Sequence, residues 1–565
     1  MMSAQSDLTT GIATAAHSPP RSPTVFWLLI AFAVCVSLLL RSVALNNTTV
    51  LDDHDSVFYV QSIEAYASWQ WSQINALNSD STPVYPFLAS VLTPIVDNAE
   101  RAGRWVSLLS STLLVLIVAL LGARLHSQTA GVVAALILAC TPLEVSLSIA
   151  VLTEILYQAL LYAGIYITLK VLEARQFTLA SASLAATLYG LSFLTKTEGV
   201  LFIALCPMIV VAIQISRRWA STAGDSGKLV PVGWIGTFML IFAVMATLQI
   251  VHITQKMGSP ALNGRVAWQS LAALMPDRPL DAAMYGLDLD DATTNLIYAR
   301  QNHQEAVDRL SGESANEALS TPLVERLKLS LKNVDTIYRY ILTDILSPVG
   351  VFFLFAGALF VLVQGTVTSL IFYLFMLAAV LIAPVLHTSV IPRQMAQAMP
   401  VFSILQAVAI VELARWVVKR YRHRILFTLT VMAAVGVLIA GQAVPIYKSL
   451  NPPTFNGDYD PAVLAEPASM LRERPAVERM AARKGYLAYM AGIDYIPVPF
   501  TNLEGLVSYL RLNESEFVYI DFKLLELYPF LASFTSSEYE QYFTERWSHS
   551  PDGQLRSALY QLTSE

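Results

Sequence analysis

Apolar runs of about twenty residues recur along the chain, each closed by a short polar stretch. They lie near 24–45, 105–123, 128–147, 149–169, 178–195, 199–216, 231–253, 347–365, 367–388, 396–414 and 425–446. A helix crossing the hydrocarbon core needs roughly 20 mostly apolar residues. The pattern therefore predicts about eleven transmembrane helices and a mostly α, polytopic membrane protein. The stretch CTPLEVSLSIAVLTEILYQ is the weakest part of it, because Pro142, Glu144 and Glu154 interrupt the apolar sequence. Ahead of the first run, residues 1–23 are polar, small and rich in Pro and Ser, which predicts a disordered N-terminus. No small-residue cleavage site follows that run, so it reads as an uncleaved anchor rather than a signal peptide.

Three longer polar segments separate or follow the runs, at about 46–104, 255–345 and 447–565. In the first, STPVYPFLASVLTPIV could lie along the membrane interface; in the second, PDRPLDAAMYGLDLDD could hold helices. The third carries KGYLAYMAGIDYIPVP and EFVYIDF, whose β-branched and aromatic content predicts strands of a small α/β domain. The organisation expected is thus a short tail (1–23), a transmembrane domain (24–446) and a C-terminal domain (447–565). No internal repeat of fixed period is present.

Composition agrees with the hydropathy pattern. The chain has 565 residues, 55% hydrophobic and 14% charged, with a mean hydropathy of +0.53; soluble domains average about 25% charged. A net charge of −6 without a basic–aromatic stripe argues against a nucleic-acid partner. Cys35, Cys140 and Cys206 all lie in apolar runs, which suits packing rather than a disulfide framework or a thiolate metal site.

Charge does more for sidedness. Arg124, Lys170, Arg175, Arg217, Arg218, Lys228 and the run RWVVKRYRHR (Arg415, Lys419, Arg420, Arg422, Arg424) fall in alternate turns. The positive-inside rule then predicts a cytoplasmic N-terminus, and an odd helix number places the C-terminal domain outside, in a plasma or inner membrane. All three longer polar segments fall on that outer side.

The candidate chemistry gathers on the same side. LDDHDSVFY puts Asp52, Asp53 and Asp55 at the outer end of the first span, and Glu154 stands at the outer end of the fourth. Ionisable groups inside spans are costly and usually face a cavity or a partner; one carboxylate buried near another suits general acid–base work. Arg104, Lys196 with Glu198, and His387 with Arg393 occupy the same leaflet, where the positive-inside bias predicts few cations. Cations there suit a phosphate at headgroup level. A lone cation or acid at such a place is as often a snorkelling or solvated side chain; the number of them together favours a site. The chain has no GxxxxGK[ST], HExxH or CxxC motif, so cytoplasmic ATP has no evident entry. A transporter or lipid flippase is the main reading from another class, and the missing internal repeat weighs against it.

DSVFY, PVYPFL, AGRWVSLL, VLTEILYQALL, GLSFLTKTEGVLF and PRQMAQAMPVF occur in an order that resembles the polytopic GT-C glycosyltransferases. In particular the order is similar to that of the protein-mannosyltransferase and aminoarabinose-transferase group, which uses polyprenyl-phosphate sugars. The resemblance covers about 50–215 well and 380–415 moderately. It implies a GT-C fold and an inverting transfer from a polyprenyl-phosphate sugar donor to an extracytoplasmic acceptor. It makes Asp55 the candidate base, followed by Tyr59 at the family spacing of Asp-Glu-x-x-Tyr. Ser56 stands where the family has its second acid, so Asp52 or Asp53 could supply the charge instead. Glu154 matches a second acidic position that could orient the acceptor or help hold a divalent metal ion. Arg104, Lys196 and Arg393 match positions that hold the donor phosphate, with Tyr59, Glu198 and His387 nearby. PVYPFL lacks the lysine of the family's Lys-Pro-Pro-Leu, so the pattern does not supply that phosphate contact here. The Ser56 departure also leaves open a non-catalytic binder of lipid-linked sugars.

Overall fold

The computed structural model describes residues 23–48, 54–70, 82–174, 177–220, 232–257, 323–340, 345–365, 392–451, 461–498, 502–521, 537–550 and 556–563, with scattered positions between them. Asp52, Asp53, His387, residues 1–22 and most of the 255–345 segment lie outside the described residues.

In chain order the helices are α1 (Pro23–Asn47), α2 (His54–Ala67), α3 (Val84–Val96), α4 (Ala99–Leu125), α5 (Gln128–Ala139), α6 (Pro142–Leu147), α7 (Glu154–Ala174) and α8 (Leu179–Phe193). A 3-10 turn (Thr197–Leu201) leads into α9 (Phe202–Ala220) and then α10 (Val232–Met257), α11 (Leu323–Tyr340) and α12 (Pro348–Gln364). A second 3-10 segment (Pro392–Ala398) opens α13 (Met399–Tyr421), followed by α14 (Ile425–Ala440) and α15 (Ala443–Leu450). Among the described residues six helices are long and apolar enough to cross a membrane: Pro23–Asn47, Ala99–Leu125, Glu154–Ala174, Thr197–Ile215, Val232–Val251 and Arg393–Tyr421. The pair α14 and α15, bent by 59°, adds a seventh if it is one span. The chain is a multi-pass integral membrane protein.

Among the described residues two of the eleven expected spans are interrupted, and two more, 178–195 and 347–365, form apolar helices of 15 and 17 residues. The run 367–388 lies mostly outside the described residues. The run 128–147 is broken: α5 stops at Ala139, Thr141 is extended, and Pro142 starts the short α6 at its first position. A residue before proline is pushed out of the helical region, and proline suits a helix start. The run 149–169 becomes helical only at Glu154, where Tyr157 N bonds the Thr153 carbonyl at 3.0 Å. An acid in the first turn sits well against the positive end of the helix dipole. The first break falls at Pro142 and the second at Glu154, two of the residues that interrupt the apolar pattern.

α4 and α5 pack through glycines. A Cβ on Gly131 would stand 2.2 Å from the Ala119 carbonyl oxygen and 2.7 Å from Ala123 N. Gly131→Ala therefore forces the two helices apart and lowers stability by roughly 1–3 kcal/mol, the usual cost of overpacking. Thermal unfolding in detergent measures this, with Gly436→Ala as control, since a Cβ there meets nothing within 4 Å.

The C-terminal region starts with α16 (Pro461–Arg472) and continues β1 (Arg479–Ala482), α17 (Tyr486–Ala491), β2 (Asp494–Pro497), α18 (Leu503–Leu512), β3 (Phe517–Asp521), β4 (Phe543–His549) and β5 (Ser557–Leu562). The sheet order is β2-β1-β3-β5-β4. β1 pairs in parallel with β2 and β3, while β3–β5 and β5–β4 are antiparallel. The expected α/β character holds, with one correction: within KGYLAYMAGIDYIPVP the part YLAYMA forms the helix α17, and only DYIP is a strand. Tyr486, Leu487, Ala488 and Ala491 are buried, and Gly492, at φ 74°, ends the helix as a left-handed cap.

Strand periodicity divides the core. Met480, Ala482, Phe517 and Tyr519 face one side; Ala481, Val518 and Ile520 face the other, against α18. The first side shares a hydrophobic cluster with Tyr59 and Ile63 of α2, Tyr85 of α3, Ala102 of α4 and Ile155 of α7. The sheet thus rests on the end of the bundle where α2, α3 and the starts of α4 and α7 meet. α3 buries Tyr85 and Ala89 there and leaves Phe87, Leu88, Val91 and Ile95 exposed.

Candidate functional site

Four element ends converge under the C-terminal sheet. The start of α2 brings Asp55, the start of α7 brings Glu154, the turn after α8 brings Lys196, and the 3-10 segment before α13 brings Arg393. Each charge sits where a helix begins or ends rather than mid-span, so it reaches the others without crossing hydrocarbon.

The contacts form one chain. Arg393 Nη2 donates to Asp55 Oδ2 at 2.6 Å, and its Nε lies 3.9 Å from Glu154 Oε1. Lys196 Nζ donates to the same Glu154 oxygen at 3.4 Å and lies 3.6 Å from Glu198 Oε1. Glu154 Oε2 is buried and bonds to nothing among the described residues. Burial alone would lower the Lys196 ammonium, but the carboxylates of Glu154 and Glu198 outweigh it and hold the group above its ordinary value. Lys196 therefore stays charged throughout the physiological range.

The aromatic wall follows from α2 and α3. Tyr59, one turn after Asp55, packs edge-on against Tyr85 at 5.7 Å between ring centres. Tyr85 is fully buried; its hydroxyl donates to the Gly103 carbonyl at 2.9 Å and lies 3.1 Å from Ser107 Oγ. Gly103 is needed here, since a Cβ would meet the Tyr85 hydroxyl at 3.2 Å and Val151 at 2.6 Å. Ser56 is fully buried, with an Oγ that has no bond among the described residues. An acid buried at that position without a partner would be costly, which fits the serine found there.

The structure therefore joins Asp55, Glu154, Lys196, Glu198 and Arg393, with Tyr59 beside them. Arg104 stands at the edge: Glu100, one turn earlier on α4, holds its guanidinium at 2.7 Å. Asp52, Asp53 and His387 fall outside the described residues. Asp55 and Glu154 both face the Arg393 guanidinium, which sits as their shared cation. Among the described residues no group of three His, Cys, Asp or Glu side chains converges.

Sequence reasoning missed Gln158, Tyr162 and Arg41, and took Glu144 only as a break in the pattern. Their signal was available. Gln158 and Tyr162 follow Glu154 at intervals of four, a polar stripe along an apolar helix, and Arg41 is a lone cation within the first span. A second polar cluster marks the opposite end of the bundle, where His126 Nε2 lies 2.8 Å from Glu412 Oε1 and Arg415 also bonds Glu412.

A family model described as dolichyl-phosphate-mannose-protein mannosyltransferase matches residues 80–256, about a third of the chain. A comparison with curated proteins finds no match. The oligosaccharyltransferase of Archaeoglobus fulgidus in its apo form aligns at TM-score 0.59 and 13% identity, over 95% of this chain and 74% of that one. The same archaeal enzyme, AglB, in complex with an inhibitory peptide and a dolichol-phosphate, aligns at TM-score 0.53 and 13% identity over 94% and 74%. ArnT from Cupriavidus metallidurans, bound to undecaprenyl phosphate, aligns at TM-score 0.51 and 11% identity, over 96% of this chain and 98% of that one. Identities this low speak for the fold, and the fold is the one the motifs resemble: the chain is a polytopic membrane protein of GT-C architecture.

Proposed function

We propose that the chain is a membrane glycosyltransferase that moves a hexosyl or pentosyl group from a polyprenyl-phosphate donor to an acceptor outside the cytoplasm. The observation that carries this reading is the Asp55–Arg393–Glu154–Lys196 chain of contacts at one end of the bundle. It sets a carboxylate able to take a proton beside two cations able to hold a phosphate. The family match over residues 80–256 and the lipid phosphates bound by AglB and ArnT support the donor class. The distribution of Lys and Arg supports a cytoplasmic N-terminus and an outer site covered by residues 447–565.

In the proposed reaction Asp55 takes the proton of an acceptor hydroxyl or amine. The freed electron pair attacks the anomeric carbon, and the bond from that carbon to the phosphate oxygen breaks. Its electrons leave on the polyprenyl phosphate, where Arg393 and Lys196 stabilise the charge. A single displacement inverts the anomeric centre. Glu154 Oε2, buried and without a bond among the described residues, is placed to accept a hydrogen bond from the acceptor. Arg393 takes part twice, because it holds Asp55 before a phosphate competes for it. The steps use these side chains alone.

The test is transfer by the purified full chain from a panel of polyprenyl-phosphate sugars to endogenous envelope acceptors, followed by radiolabel. Transfer from one member with inversion is expected. Failure to bind undecaprenyl phosphate, or any donor of the panel, overturns the reading.

A further inference from the structure

α7 does more than deliver Glu154. Its residues 154, 158 and 162 recur at intervals of four and so share one face. That face is applied to the segment Pro392–Ala398, which carries Arg393. Glu154 faces Arg393 itself, at 3.9 Å. Four residues on, the Gln158 side-chain nitrogen, in the amide orientation that satisfies both neighbours, donates to the Ala396 carbonyl at 3.2 Å and to Glu144 Oε1 at 3.1 Å. Four further, the Tyr162 hydroxyl donates to the Gln397 carbonyl at 2.7 Å. The segment is thus held by its backbone at two successive residues, three and four positions beyond Arg393.

Behind Gln158 stand two buried charges. Glu144 of α6 and Arg41 of α1 are both fully buried, and Arg41 acts on Glu144 electrostatically. Arg41 is fixed by Ser111 Oγ at 2.6 Å and the Ala139 carbonyl at 3.0 Å. A primary amide has two N–H donors and one acceptor oxygen, while an ionised carboxylate only accepts. Glu144 therefore takes the amide nitrogen, not the oxygen, and leaves the second hydrogen for Ala396. Burial pushes the Glu144 carboxyl up to about 7, with the Arg41 guanidinium and the Gln158 amide opposing the rise, and the Ala396 carbonyl, which can only accept, fixes the same amide orientation. Burying two such charges is costly, and a packing role alone would be met as well by apolar side chains.

Resting on the reading of Arg393 as a donor-phosphate cation, we propose that Gln158, oriented by Glu144, is a positioning residue that sets where Arg393 meets the phosphate. It touches no reacting atom and acts through the Ala396 backbone.

Undecaprenyl phosphate is the probe, and its binding to the full chain in detergent is measured by native mass spectrometry. Gln158→Met keeps length and volume and removes both donors. Affinity is expected to fall roughly fivefold to tenfold, the scale of one lost hydrogen bond. Glu144→Gln allows the amide to turn over and is expected to give a smaller loss, about threefold. In transfer from an undecaprenyl-phosphate sugar, the loss appears in the donor KM and leaves kcat within about twofold. In an Arg393→Lys background the Gln158→Met effect largely disappears, since coupled residues do not add. A folded Gln158→Met chain with wild-type affinity, or losses that multiply with Arg393→Lys, overturns the inference. Should Gln158→Met not purify as a folded chain, Glu144→Gln decides, and unchanged affinity there overturns it as well. A wild-type chain that binds no undecaprenyl phosphate overturns the glycosyltransferase reading itself, a result distinct from the others.

Discussion

Asp55→Asn leaves a folded chain that binds undecaprenyl phosphate and transfers sugar about 10²–10⁴ times more slowly, the range a positioned general base contributes. The substitution keeps shape and removes only the negative charge. Asp55 accepts from Arg393 at 2.6 Å, and an asparagine oxygen can still receive that hydrogen bond. The site therefore keeps its geometry, and the loss lies in proton removal. The sign of the binding effect separates this from general damage. Asn holds the guanidinium less tightly than Asp, so Arg393 is freer for the phosphate, and lipid affinity stays constant or rises. Parallel measurement of transfer and of undecaprenyl phosphate binding checks both. Unchanged transfer in a folded variant sinks Asp55 as the base.

Arg393→Ala has the opposite signature. Arg393 is the cation shared by Asp55 and Glu154, with side-chain exposures of 22%, 18% and 9% for the three residues. Truncation leaves two largely buried carboxylates facing one another, with Lys196 as the nearer remaining cation. Removing one member of a buried, hydrogen-bonded charge pair costs roughly 2–5 kcal/mol. Donor affinity is expected to fall on the order of 10²–10³-fold. Arg393→Lys keeps the charge but loses the planar fork that contacts two acids at once, so about a tenfold loss is expected. The ranking wild type, Lys, Ala is read from donor titrations. A flat ranking removes Arg393 from phosphate binding.

Much of this arrangement was legible in the chain, for a physical reason. In a polytopic protein each polar residue at a span end stands out against a nearly uniform apolar background. Asp55, Glu154, Lys196 and Arg393 could thus be picked out singly, and the sidedness of Lys and Arg placed them on one face. Their mutual distances could not be read, because helix neighbours in a bundle are not dictated by chain order. Gln158 was passed over because a neutral amide in an apolar helix carries no charge signal. The break at Pro142 and the late start of α7 at Glu154 were visible as interruptions, yet hydropathy averages over such breaks and returned continuous spans. The α17 error arose differently: KGYLAYMAG is aromatic and short, and a single buried turn of helix looks like a strand when its period is sampled only once.

The separation of the site residues along the chain also governs how the protein is made. Lys196 follows Glu154 by 42 residues, whereas Arg393 follows Asp55 by 338. At a synthesis rate of about 5–20 residues per second, Glu154 receives its first counter-charge within roughly 2–8 s of emerging. Asp55 waits roughly 20–70 s for its partner. An acid entering the bilayer is thus neutralised early by a neighbouring hairpin, and the acid at the membrane surface, where water can solvate it, is the one left waiting. Nascent chains stopped before Pro392 carry most of the bundle and lack only Arg393 among the joined site residues, so the last steps of membrane insertion decide whether a translated chain becomes a working one.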